Sequence, residues 1–450
     1  MVRAGPNNKV VFMFEEQSFF ASQSRQTHKT MAILVGGGPA PGINGVIRSA
    51  TIEAINSGMK VLGIYDGYSW LAKGSSAHVE RLTIDRVSRI NYRGGSVLRT
   101  SRVNPTKSPE SMRMVLRVLT ELEVDYLISI GGDDTAFTAS QLVRMAGDQI
   151  QVAHVPKTID NDLPLPGQML TFGYQTAREV GAQVVQNIME DAFTTNRWYF
   201  VVTMGRKAGH LALGIGNSAG ATLTIIGEEF RGQPIRITHL CDILEGAIIK
   251  RRLLGRDYGV AVLSEGIIES IDQNDLKNYV EKVEYDAHGN LRYAEIALAE
   301  IVKDEVRKRL KARGIDVTIV NKNIGYELRC QQPNAFDLEY TQSLGFTAVR
   351  FLVGGGSGAM IALRDGSPFI IPFDKIMDPE TGKIKTRLVN LDSDYYRMCH
   401  EFMIRLDASD FKIQKRLSRL ARVANCTPEE FRAQFGYLGD EDRRSLTIGN

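Results

Sequence analysis

Residues 156–164, PKTIDNDLP, set Lys157, Thr158, Asp160, Asn161 and Asp162 between prolines at the end of an apolar run. A packed interior rejects that many polar groups unless they are paired. A carboxylate beside a substrate hydroxyl accepts its proton as a phosphoryl group is transferred. A neighbouring lysine binds the departing phosphate as a point charge. The bland alternative, an Asx-rich turn between prolines, explains one acidic residue but not the whole set.

Other segments carry compatible chemistry. GGDDT (131–135) joins a sharp glycine bend to Asp133 and Asp134, and a carboxylate there suits a hard cation such as Mg²⁺ or a phosphate site; the alternative is that Asp134 or Thr135 caps the next helix. GGGPAPGIN (36–44) lets backbone amides approach an anion, but it lacks the Gly-Lys-Ser/Thr ending and the Gly-x-Gly-x-x-Gly spacing of common nucleotide loops. VVTMGRKAGHLA (201–212) puts Arg206 after a strand and a glycine, where a guanidinium clamps a moving phosphoryl group. Glu265 in LSEG suits sugar hydroxyls. Arg93, Arg99 and Arg102, with Tyr326 and Arg329 in GYELR, are singly ordinary surface residues but together point to a multiply phosphorylated ligand.

These residues need a frame, and the hydrophobic pattern supplies one. Strands are expected at 31–35, 60–65, 125–130, 150–155, 198–204, 221–226 and 259–264. Helices are expected at 45–56, 108–124, 135–146, 177–193 and 240–253, with Ser108 capping a helix that has Pro109 at its first position. The alternation implies an α/β fold of two Rossmann-like lobes with largely parallel sheets, the second lobe starting near residue 171. Ligands of open parallel sheets sit beyond the carboxyl ends of the strands, where GGGPAPGIN, GGDDT, PKTIDND, Arg206 and Glu265 fall.

The 450 residues exceed one average core, and a net charge of +3 gives no reason to expect nucleic acid or membrane as partner. No apolar run reaches bilayer-spanning length. Four scattered cysteines without a Cys-x-x-Cys pair fit a reducing cytoplasm and argue against zinc or a disulfide framework. Residues 1–30 read as an N-terminal extension without signal-peptide order, in which VVFMF would add at most one strand.

Taken in order, GGGPAPGIN, GGDD, PKTIDND, MGRKAGHLA and Glu265 resemble the phosphofructokinase family over most of residues 31–360. The resemblance implies a donor-binding lobe at 31–170, completed by part of 328–378, and a sugar-phosphate lobe at 171–327, completed by part of 379–450. It implies Mg²⁺-dependent phosphorylation of fructose 6-phosphate at its 1-hydroxyl. Asp160 would be the base, Asp162 would help hold the sugar, and Thr158 and Arg206 would stabilise the phosphoryl group. Asp133 would organise Mg²⁺, and Gly38 and Arg102 would line the donor site. Met204, Gly205, Glu265, Tyr326 and Arg329 would contact the sugar phosphate, with Lys322 a candidate for a further cation. Arg197 matches an arginine that reaches the sugar phosphate across a subunit boundary, which implies a homodimer or homotetramer.

The donor is expected to be pyrophosphate. ATP-using relatives have glycine where Asp134 stands, because the nucleotide needs that space, and a carboxylate there adds bulk and like charge. Lys157 occupies a second position that is often glycine and offers a cation to the shorter donor, which makes it a donor-binding and catalytic candidate at once. The alternatives are an ATP-dependent enzyme that tolerates Asp134, a related acceptor such as sedoheptulose 7-phosphate, and a non-catalytic regulatory subunit, although such a subunit would be expected to have lost its base or its clamp.

Overall fold

A computed structural model describes residues 29–167, 169–232, 234–279 and 296–439. The strand expected at VVFMF lies outside them. Two sheets organise the chain. Strands β1 (Thr30–Val35), β2 (Lys60–Ile64), β3 (Val79–Leu82), β4 (Tyr126–Gly131), β5 (Gln151–Pro156), β6 (Trp198–Thr203), β7 (Leu223–Ile225), β8 (Gly259–Ser264), β9 (Ile319–Ile324), β10 (Ala359–Arg364) and β11 (Ser367–Pro372) follow one another along the sequence. The first sheet has seven strands in the order β11-β10-β5-β4-β1-β2-β3, and the second has four in the order β7-β8-β6-β9. All pairings are parallel except those of β2 with β3 and of β10 with β11.

Central strands covered on both faces read as unbroken apolar runs, and β1 and β8 are buried at every residue. Edge strands β3 and β11 are partly exposed and lack that signature. The first sheet is finished by residues 359–372, which return after the second sheet has formed. That return depends on a tight crossing of the helices Ile43–Asn56 and Ala335–Val353: a Cβ on Gly345 would stand 2.6 Å from the Val46 carbonyl oxygen. No helix among the described residues is long and apolar enough to cross a membrane.

The strand order decides which loops meet. β5, β4 and β1 are neighbours, with Val35 beside Ile130 and Gly131 beside Pro156, so the loops after residues 35, 131 and 156 emerge together. In the second sheet Thr203 pairs with both Ser264 and Ile324, which groups the loops beginning at Met204, Glu265 and Gly325.

Candidate active site

The two groups of strand-end loops face each other across a cleft of about 300 Å³. Gly38, Arg102, Asp133, Asp134, Lys157, Thr158, Asp160, Asp162, Met204 and Arg329 all line it. Ten expected residues, drawn from six segments of sequence, thus share one cavity.

The helix after β4 spans Asp133–Ala146 and is capped by Gly132, so neither Asp134 nor Thr135 is the cap. Both aspartates stand in its first turn, where the helix dipole favours negative charge. Asp133 Oδ1 accepts the Asp134 amide at 2.9 Å, and Oδ2 accepts Lys207 Nζ at 2.5 Å. Burial acts to raise the Asp133 pKa, but Lys207 and the backbone amides outweigh it and hold the carboxyl below its usual range. Asp134 is raised, by burial and then by the charge of Asp133, and its Oδ1 accepts Asn104 Nδ2 at 3.3 Å.

The PKTIDND loop divides its labour by residue. Asn161 adopts φ 55°, a left-handed conformation that asparagine tolerates better than most residues. Its side chain and carbonyl are held by Arg387, whose Nε donates to Asn161 O at 3.0 Å and whose Nη1 donates to Leu165 O at 3.1 Å and Met169 O at 2.6 Å. Asn161 is therefore an anchor, and it leaves Asp160 and Asp162 to line the cleft on either side of it. Thr158 Oγ1 accepts the Asp160 amide at 3.0 Å.

Asp160 Oδ1 is inaccessible and has no hydrogen-bond partner. Burial, followed by the charges of Asp162 and Glu265, pushes its carboxyl up to about 8. Asp162 is raised by burial and by Asp133. Lys157, 4% exposed, donates to the Gly38 carbonyl, and burial followed by the charge of Arg329 pulls it down to about 8. A carboxylate poised near neutrality beside a buried cation can take a proton from an alcohol and compensate the charge that develops.

Two amides of the glycine loop are already paired. The Gly36 amide donates to Ile130 O at 2.8 Å and the Gly37 amide to Ser101 O at 2.7 Å, so both are spent on backbone pairing. The loop also provides close approach: the bare Cα of Gly38 makes room for Arg329.

Eight expected residues do not line this cleft. Arg206 pairs with Glu269 at 2.8 Å and lines an adjoining hollow of about 620 Å³, together with Lys207, Ser264 and Gly266. Gly205 donates its amide to Glu265, whose carboxyl is raised by burial and whose charge reaches Asp160. Tyr326 is 73% exposed, and the Arg329 guanidinium lies 5.3 Å from its ring centre. Arg197 precedes β6 and so stands a six-residue strand, ~20 Å, from Met204 at the other end. Its Nε is buried without a hydrogen-bond partner. Lys322 is exposed on β9, and Arg93 and Arg99 are exposed away from the cleft. Asn104, Lys207 and Arg387 were not anticipated. Lys207 alone had a visible signal, its place beside Arg206.

Among the described residues no three His, Cys, Asp or Glu side chains converge on one point as a metal cage. Mg²⁺ needs none, since it binds through one or two carboxylates together with substrate phosphates. Asp133 fits that role: it is a hard oxygen donor beside the cleft and already faces a cation.

A family model described as phosphofructokinase matches residues 30–352. The pyrophosphate–fructose 6-phosphate 1-phosphotransferase of Thermotoga maritima is 52% identical over 409 residues, covering 90% of this chain and 97% of that protein. The protein of the same name from Naegleria fowleri is 48% identical over 417 residues, covering 91% and 95%. A crystal structure of pyrophosphate-dependent phosphofructokinase from Nitrosospira multiformis superposes with a TM-score of 0.63 at 16% identity, covering 83% of this chain and 90% of that one, a likeness of fold.

Proposed function

The chain belongs to the phosphofructokinase family, and from that premise we propose that it is a pyrophosphate-dependent phosphofructokinase. It transfers a phosphoryl group reversibly from pyrophosphate to the 1-hydroxyl of fructose 6-phosphate, giving fructose 1,6-bisphosphate and orthophosphate. The observation that carries the choice of donor is Asp134, whose carboxylate lines the cleft beside Asp133 and is braced by Asn104. A nucleotide would bring an inner phosphate against that charge, whereas pyrophosphate has none to place there. The two highly identical relatives carry names with the same donor.

In the forward direction Asp160 removes the hydroxyl proton while the oxygen attacks the terminal phosphorus, and the bond to the leaving orthophosphate breaks. Lys157 neutralises the donor, with Gly38, Arg102 and Asp133 lining its site. Thr158 orders the Asp160 backbone and faces the phosphoryl group. Arg206, resting on Glu269, turns to the phosphoryl group when substrate binds. Asp133 would hold Mg²⁺, which would supply charge neutralisation at the donor phosphates. Asp162, Met204, Gly205, Glu265, Tyr326 and Arg329 hold the sugar phosphate. The seven-stranded unit serves as the donor lobe and the four-stranded unit as the sugar lobe.

Arg197 completes the sugar site of a second copy in a homo-oligomer; its distance from its own cleft supports this reading. The enzyme works in the cytoplasm. A regulatory subunit is disfavoured, because Asp160, Asp162, Thr158 and Arg206 are all present. Assaying the purified chain with Mg²⁺, fructose 6-phosphate and either donor tests the reading. Pyrophosphate turnover should exceed ATP turnover by orders of magnitude, and comparable rates would defeat the choice of donor.

A further inference from the structure

Two consecutive cations leave the loop after β6 in different directions. Arg206 stays within its own sheet unit, on Glu269, whereas Lys207 reaches across the cleft to Asp133 at the start of the helix after β4. With the Asp134 amide on Oδ1 and the lysine ammonium on Oδ2, both oxygens of Asp133 are engaged. A divalent cation approaching this carboxylate therefore competes with an ammonium already in place. The contest is uneven. Bare Mg²⁺ gains little beyond one carboxylate and must shed water that it releases reluctantly. A metal–pyrophosphate complex brings phosphate oxygens that re-pair the displaced ammonium, so the exchange leaves no charge stranded. The ion pair is also about half exposed, at 47% for Lys207 and 39% for Asp133, so water screens it and breaking it is inexpensive.

We propose that Lys207 is a positioning residue that stands in for the divalent cation on Asp133 in the ligand-free enzyme and admits the metal only as its pyrophosphate complex. This rests on the reading of Asp133 as the metal-side carboxylate of a pyrophosphate site.

The test is a titration of Mn²⁺ into the ligand-free full chain, followed by electron paramagnetic resonance, with no substrate present. Lys207→Met should bind Mn²⁺ about tenfold more tightly than wild type. Lys207→Arg, which keeps a cation, should restore weak binding, and adding Asp133→Asn to Lys207→Met should abolish the gain. With imidodiphosphate present, wild type and Lys207→Met should converge. Equal Mn²⁺ affinity of wild type and Lys207→Met would overturn the proposal, as would an arginine variant that behaves like the methionine one. Lys207→Gln offers the same comparison should the methionine variant misfold. Turnover of wild type with pyrophosphate is measured separately, so loss of the donor assignment and loss of the Lys207 role are distinguishable.

Discussion

Arg329 lies directly over Gly38, so close that a Cβ on the glycine would fall 1.5 Å from the guanidinium Nη2. One residue belongs to the loop after β1 and the other follows β9, so this contact joins the two sheets at the cleft. Lys157 reaches the carbonyl of the same glycine. Gly38→Ala should push the Arg329 head group aside without unfolding the chain, because the end of a long flexible side chain is what gives way. Losing one charge-assisted contact should raise KM for fructose 6-phosphate roughly tenfold, with kcat much less affected. Steady-state kinetics with each substrate varied in turn checks this, and a rise confined to the KM of pyrophosphate would move Arg329 to the donor side.

Asp134 is testable by shape and by charge separately. Asp134→Gly combined with Lys157→Gly should raise the ratio of ATP to pyrophosphate use by tenfold or more, about 1.4 kcal/mol per decade. Asp134→Asn keeps the bulk and drops the charge. If it changes donor choice as much as glycine does, repulsion is the operative effect; if it changes nothing while glycine does, space is. Unchanged preference in every variant would remove Asp134 from donor selection.

The sequence made visible what depends on local periodicity. Buried parallel strands such as β1 and β8 announce themselves because both faces need apolar side chains, and their strand-end motifs follow from that. What it hid depends on long-range approach. Asn161 looked like one more polar group in a catalytic cluster, and only Arg387, 226 positions away, shows it to be an anchor. The amides of Gly36 and Gly37 looked available to an anion until the sheet placed Ile130 and Ser101 against them. The helix after β4 begins two residues earlier than its apolar pattern, because Gly132 takes the cap position and frees two aspartates for its first turn.

The C-terminal helices are clamped by a buried charge. Glu245 has a side chain 1% exposed, Arg313 Nε lies 2.7 Å from its Oε1, and Arg309 Nη1 stands 3.8 Å from Oε2. Arg313 Nη1 also donates to the Ala424 carbonyl at 3.3 Å, tying the helix Gln414–Val423 to the helix Ile237–Leu253. Arg313→Met should cost about 3 kcal/mol, the lower end for stranding a buried charge, because Arg309 remains nearby. Adding Glu245→Gln should recover part of that loss. Denaturant unfolding of the two variants measures it, and a double variant as unstable as the single one would show that Arg313 acts by packing alone.

The pH dependence should differ between the two directions of the reaction. Asp160, pushed up to about 8 chiefly by burial, must be ionised to accept the hydroxyl proton in the forward direction and protonated to return it in reverse. Lys157, pulled down to about 8 chiefly by burial, must keep its proton in both directions to hold the donor's charge. Forward kcat/KM should therefore rise as pH climbs toward 8 and fall above it, a narrow bell whose acid limb reports Asp160 and whose basic limb reports Lys157. Reverse kcat/KM needs the proton on both groups, so it should hold level on the acid side and decline through the same region. Asp162 contributes like charge that raises Asp160, so Asp162→Asn should move the forward acid limb to lower pH. Profiles from about pH 6.5 to 9.5 in both directions decide the matter. Superimposable forward and reverse curves would mean that the proton of Asp160 does not control the chemistry, and an acid limb indifferent to Asp162→Asn would mean that its neighbour's charge does not set its affinity for that proton.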